Sequence, residues 1–173
     1  MEWSHHEILG LGEERMKKTE IPEAARDLNM SWIESVEKTL DELGTPTLVR
    51  QIMKAAGQKC AAAIFTDCEE TLGKKPETVD ELIEANNRRR ILKLKLDNRW
   101  EREGNRAHLI IDECGCTLVK AGLAKPNPIH RLCSAGLWEN LFSRVCRGPV
   151  KVEITKAVGF GDHKCEFYVD FEE

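Results

Sequence analysis

The hydrophobic period of this chain changes near residue 91, and that change limits the folds open to it. Before it, Trp32, Val36, Leu40 and Leu43 recur at helical spacing, and Gly44 supplies a stop. Thr45-Pro46 restarts the chain as a cap followed by a first-turn proline. Leu48, Ile52, Ala56, Cys60, Ala63 and Ile64 then form one stripe that runs to Leu72-Gly73. A shorter helix is expected from Pro76 to about Arg89, with Val79, Leu82 and Ile83 on its buried side. Cys60 and Cys68 fall within the long helix and read as packing residues, because free cysteine behaves there as a small hydrophobe. Arg88, Arg89 and Arg90 read as a solvated helix end, where cations suit the helix dipole.

Beyond residue 91, Leu92, Leu94 and Leu96 alternate with Lys93 and Lys95, which suggests a strand, although the preceding helix could run on into Leu94. Glu103-Gly104-Asn105 marks a turn, and Ala107 to Ile111 reads as a returning strand. The stretch from Cys114 to Pro128 is irregular. Loops of that length inside a domain are usually functional or disordered. Asn127-Pro128 opens a helix whose apolar stripe is Ile129, Leu132, Cys133, Gly136, Leu137, Leu141 and Val145, and Gly148-Pro149 closes it. Val150, Val152 and Ile154 share one face of a strand, as do Cys165, Phe167, Val169 and Phe171 of the last one. The expected fold is α+β. A helical region (1–90) packs with an α/β module (91–173) that holds an antiparallel sheet and one long helix, the two forming one unit.

Composition narrows the function. A net charge of -4 and a pI of ≈ 5.8 do not suit a nucleic-acid-binding surface, which needs a basic footprint. No stretch approaches the roughly 18 apolar residues of a membrane helix. Met1-Glu2-Trp3-Ser4-His5-His6 lacks the pattern of a signal peptide. A cytoplasmic protein with reduced thiols is therefore expected, and its seven cysteines point to metal, catalysis or core filling rather than disulfides.

Cys114 and Cys116 lie in a polar loop, two apart, and His130 and Cys133 are helical neighbours three apart. Cys165 opens the last strand. A loop, a helix start and a strand start can converge on a metal, and thiolate with imidazole is the usual ligand set of tetrahedral zinc. An iron–sulfur cluster is a minor alternative. The same residues allow a thiol enzyme, with Cys133 as nucleophile and His130 as base. Cys146, His108 and His163 are left out of the site. No nucleophile elbow, phosphate loop or dinucleotide fingerprint is present.

Three motifs carry a resemblance: Gly136-Leu137-Trp138-Glu139, Arg147-Gly148-Pro149-Val150-Lys151-Val152-Glu153, and Gly161-Asp162-His163-Lys164-Cys165-Glu166-Phe167. Together they resemble the ending of the 4-vinyl-reductase domain, a small-molecule-binding module that includes sensor domains of aromatic-responsive transcription activators. The resemblance implies zinc bound through Cys133, Glu153 and Cys165. Lys156 stands where the family has a further cysteine, so Cys114, Cys116 or His130 would complete the set. Glu153 alternates with Val152 and Ile154, which sets it on the opposite face unless a bulge intervenes. The ending is also similar to that of the 2-amino-thiazoline-4-carboxylate hydrolase family, which implies hydrolytic use of the cysteines.

The first expectation is thus a domain that binds an apolar or aromatic molecule beside a zinc site. Trp138, Phe142 and Phe160 would be its pocket walls, and a homodimer is expected by resemblance alone. The second is a hydrolase of a small cyclic amide or thiazoline, and the third a partner-binding subunit whose cysteines only pack.

Overall fold

The local signals from Glu23 onward resolve into five α-helices and four strands in a computed structural model that describes residues 22–173. The polar segment Met1 to His6 lies outside the described residues. Helices α1 (Glu23–Leu43), α2 (Pro46–Leu72) and α3 (Val79–Leu94) come first, followed by β1 (Trp100–Glu103) and β2 (Arg106–Ile111). A single-turn α4 (Thr117–Lys120) and the longer α5 (Pro128–Phe142) precede β3 (Val150–Lys156), a 3-10 turn (Val158–Phe160) and β4 (Cys165–Phe171). The architecture is α+β. All pairings in the four-stranded sheet are antiparallel, in the order β1-β2-β4-β3.

One core joins the helical stretch to the sheet. Ala61, Phe65 and Cys68 of α2 and Val79, Leu82 and Ala85 of α3 pack in the same cluster as Leu109, Cys165, Phe167, Val169 and Phe171. Trp100 stands at its centre, edge-on to Trp138 at 4.9 Å and to Phe142 at 5.2 Å between ring centroids. Such aromatic pairs add about 0.5–1.5 kcal/mol beyond the area they bury.

Helices α2 and α5 cross at glycines. A Cβ on Gly57 would lie 2.1 Å from the Cys133 carbonyl oxygen, and one on Gly136 would lie 2.4 Å from the Lys54 Cα. Each backbone therefore rests directly on the other.

Several expectations need correction. The buried stripe of α2 is Val49, Met53, Gly57, Ala61, Phe65 and Cys68, one position on from the predicted one, and Leu48, Ile52 and Cys60 face out. On α1, Trp32 is 66% and Leu43 81% exposed, while Glu37 is buried. A polar contact docks this helix in place of its apolar stripe.

Leu92 and Leu94 belong to α3, which Lys95 closes in a left-handed conformation at φ 58°, so the strand begins only at Trp100. Arg89 and Arg90 are buried rather than solvated. Arg89 donates to Asp67, and Arg90 donates to the carbonyl and side chain of Asn98, which pins the helix end. The long helix expected to reach Val145 ends at Phe142.

Candidate functional site

The start of α5 is built around one side chain. Asn127 caps the helix, its Oδ1 accepting from the His130 N–H at 2.8 Å, and Pro128 follows at the first helical position. The other half of the Asn127 amide, Nδ2, donates to Oε2 of Glu37 on α1. The remaining Glu37 oxygen, Oε1, lies 2.8 Å from Nδ1 of His130. An ionised carboxylate only accepts, so Nδ1 carries the proton and Nε2 is turned to the opposite side. There it meets Sγ of Cys116 at 3.2 Å. Glu37, His130 and Cys116 thus form a continuous relay from a buried carboxylate to a half-buried thiol, its first two members 93 positions apart in the chain.

The electrostatics follow from this order. Burial is the largest single effect and pushes the Cys116 thiol up, but the bond to His130, the His130 charge and two backbone amides together outweigh it, and the pKa falls below the ordinary 9.0. Backbone amides of Val119 and Leu118 act in the same sense, although none closes a full cap hydrogen bond on the sulfur. The pKa of His130 is raised above 6.5, first by Cys116 and then by Glu37, against the opposing effects of burial and of Arg131. A thiol whose pKa is lowered by an imidazole, itself held in place by a carboxylate, has the surroundings in which cysteines gain nucleophilicity.

A second thiol pair lies alongside. The α2–α5 crossing sets Cys60, one turn beyond Gly57, against Cys133. Contact with Cys133 lowers the exposed Cys60 to about 6, against partial desolvation and with help from the His130 charge. Cys133 is raised, by Cys60 and by burial, so it holds the proton of the pair.

The predicted site residues therefore separate. Cys116 and His130 come together. Cys133 borders them as a protonated thiol, and the His130 imidazole faces Cys116 rather than Cys133. Cys114 has a packing role after all: it is buried, and Gly115 beside it rests on the Ile111 side chain. Cys165 is fully buried in the core, paired with Ile111.

Glu153 pairs with Tyr168 on the outer face of the sheet, because the bulge in β3 comes after Ile154 and does not rotate it inward. Glu153 and Cys165 thus point from opposite faces and do not share a ligand set. Among the described residues, no group of three or more His, Cys, Asp or Glu is arranged to hold a metal. The six residues expected to hold zinc are therefore not gathered around one point among the described residues.

Trp138 and Phe142 pack into the core against Trp100, Phe167 and Phe171, and Phe160 is 49% exposed, so the three line no common pocket. A surface groove of ≈ 460 Å³ instead lies between α1 and the start of α5, lined by Glu34, Glu37, Lys125, Asn127 and Ile129 among others. It reaches the carboxylate end of the relay.

Sequence reasoning missed Glu37 and misread Cys60. Glu37 lies on a polar stretch of α1, and nothing local marks it as the partner of a histidine so far along the chain.

No protein-family model and no curated protein matches the chain. Among solved structures, it is similar to a trafficking protein particle complex subunit 3 from Naegleria fowleri, covalently bound to palmitic acid. That match has 13% identity and a TM-score of 0.52, over 86% of this chain and 95% of that one. It is also similar to the phenol-responsive sensory domain of the transcription activator PoxR with phenol, at 13% identity and a TM-score of 0.43, over 86% and 73% of the two chains. The second likeness is too low to carry an argument. The first, at that identity, is a likeness of fold alone, and no helix among the described residues is long and apolar enough to cross a membrane.

Proposed function

We propose that this chain binds a small molecule and acts on it as a thiol hydrolase or acyl-transfer enzyme, with Cys116 as nucleophile, His130 as base and Glu37 as the residue that orients it. The hydrogen-bonded order Glu37–His130–Cys116 carries this reading. In the reaction, the Cys116 thiolate attacks an ester, thioester or cyclic amide carbonyl. A C–S bond forms and the carbonyl π pair moves to oxygen. The tetrahedral species then collapses, expelling the leaving group, which takes a proton from His130. Water attacks the resulting thioester, His130 accepts a proton from that water, and the Cys116 thiolate is released.

This agrees with the hydrolytic resemblance of the C-terminal motifs more than with the sensor one, and small-molecule binding is common to both. The trafficking subunit of similar fold holds a fatty acid covalently. An acyl thioester on Cys116 is chemistry of a related kind.

The test is p-nitrophenyl acetate offered to a C60S background, which removes the other low-pKa thiol, with peptide mass mapping of the product. One acetyl group is expected on Cys116, lost in C116S and slowed about 10²-fold or more in H130N, the lower range of general-base catalysis. Acetylation that persists in C116S, or that ignores His130, rejects the reading.

A further inference from the structure

Beside the relay, α5 carries a side chain that the thiol chemistry does not use. Arg131 is 1% exposed and is the largest fully buried side chain among the described residues. Its Nε and Nη2 are buried and meet no hydrogen-bond acceptor there. Buried polar groups are almost always partnered, and a buried charge is held only where something compensates it.

The identity of the two atoms is informative. Nε and Nη2 form one edge of the planar guanidinium, the edge whose parallel N–H groups match the two oxygens of a carboxylate. Arg106 uses the same edge in this protein: its Nε and Nη2 donate to Oδ1 and Oδ2 of Asp170 at 2.6 and 2.8 Å.

The stem of Arg131 is fixed as well. Its Cγ lies where a Cβ on Gly159 would come within 3.0 Å, so the 3-10 turn holds the side chain against α5. The position is close to the relay, since Arg131 directly follows His130 on α5.

We propose that the Nε/Nη2 edge of Arg131 is a binding site for the carboxylate group of a small organic acid, set beside the Glu37–His130–Cys116 relay. The guanidinium would grip both oxygens, as Arg106 grips Asp170, and the relay would then face ligands bearing a free carboxylate. The site stands on Arg131 alone and does not require Cys116 to react.

The experiment is a thermal shift titration of the whole chain with sodium acetate, at constant ionic strength set by sodium chloride. It is run on wild type, R131M and C116S, and isothermal titration calorimetry on wild type gives the stoichiometry. Acetate is expected to raise the wild-type and C116S melting temperatures saturably, with one site per chain, and to leave R131M unmoved. R131M is expected to fold at least as well as wild type in acetate-free buffer, because methionine replaces an uncompensated charge with an apolar side chain of similar length. If R131M does not fold, R131K replaces it, with acetate affinity expected to fall at least tenfold as the two-pronged edge is lost. No acetate binding to wild type, or equal binding to wild type and the Arg131 variant, overturns the proposal. Loss of acetylation on Cys116 with retained acetate binding would overturn only the thiol reaction.

Discussion

Removal of Glu37 tests whether the relay holds the molecule together as well as activating its thiol. The Glu37 carboxylate accepts from Nδ1 of His130 at 2.8 Å and from Nδ2 of Asn127, and the Glu37 and His130 side chains are only 8% and 5% exposed. A hydrogen bond to a charged group contributes about 1.5–3 kcal/mol, so two give about 3–6 kcal/mol. Removing one member of a buried pair costs about 3–5 kcal/mol by a separate route. The two estimates overlap at about 3–5 kcal/mol for Glu37→Ala. For a chain of this length that corresponds to about 2–4 °C of melting temperature per kcal/mol, or about 6–20 °C in all.

Glu37→Gln keeps the shape and one acceptor but loses the charge. Charge-assisted bonds are about twice as strong as neutral ones, so E37Q is expected to lose about half as much stability. Thermal unfolding followed by circular dichroism at neutral pH, with a denaturant titration as a second measure, reads both variants. E37A within about 1 kcal/mol of wild type, the range of an exposed pair, would refute the buried relay.

Four further predictions follow from the same geometry. Gly136→Ala forces a methyl into the Lys54 backbone and is expected to lower stability by about 1–3 kcal/mol in a denaturant titration, the range for overpacking; no change would mean that the helices do not cross there. Brief alkylation at pH 7 with peptide mapping is expected to label Cys60 and Cys116 before Cys68, which burial pushes up to about 11, and before Cys133; C133S should slow Cys60 by returning its pKa toward 9.0. The folded pKa of His130 lies above 6.5, so the stability this residue contributes is fully present below pH 6.5 and is lost as pH rises through the folded pKa. The stability gap between wild type and H130N should therefore narrow with rising pH, and a gap that widens contradicts the assignment. Metal analysis of protein purified without chelator tests the zinc expectation: a full equivalent of zinc or iron that is lost in C116S supports a metal at the relay, and metal-free protein leaves thiol chemistry as the reading.

What the sequence revealed depended on how local the cause was. The Asn127-Pro128 start of α5 and the alternating faces of β3 and β4 were legible, because capping and strand period act over a few residues. The burial of α1 was not, since its orientation is set by Glu37 bonding to His130 and Asn127 across most of the chain rather than by Trp32, Val36 or Leu43. The end of α3 was misread for a similar reason. The Leu92-Leu94-Leu96 alternation resembles a strand, but the buried Arg89 and Arg90 find half-buried partners in Asp67 and Asn98, and these hold the segment helical.

At the site, the importance of His130 and Cys116 was visible in their residue types. Their pairing was not, because helical spacing pointed from His130 to Cys133, while the imidazole turns outward to the cap of α4. Cys133 belongs instead with Cys60, a relation created by the glycine crossing of α2 and α5.

The most direct test of the account is the pH profile of iodoacetamide alkylation at Cys116, read by peptide mapping in wild type and H130N. The wild-type rate should rise at a pH below the 9.0 of an ordinary thiol, and the rise in H130N should move back toward that value. A Cys116 profile that is the same in both proteins and rises only near 9.0 would show that no activated nucleophile exists at this site.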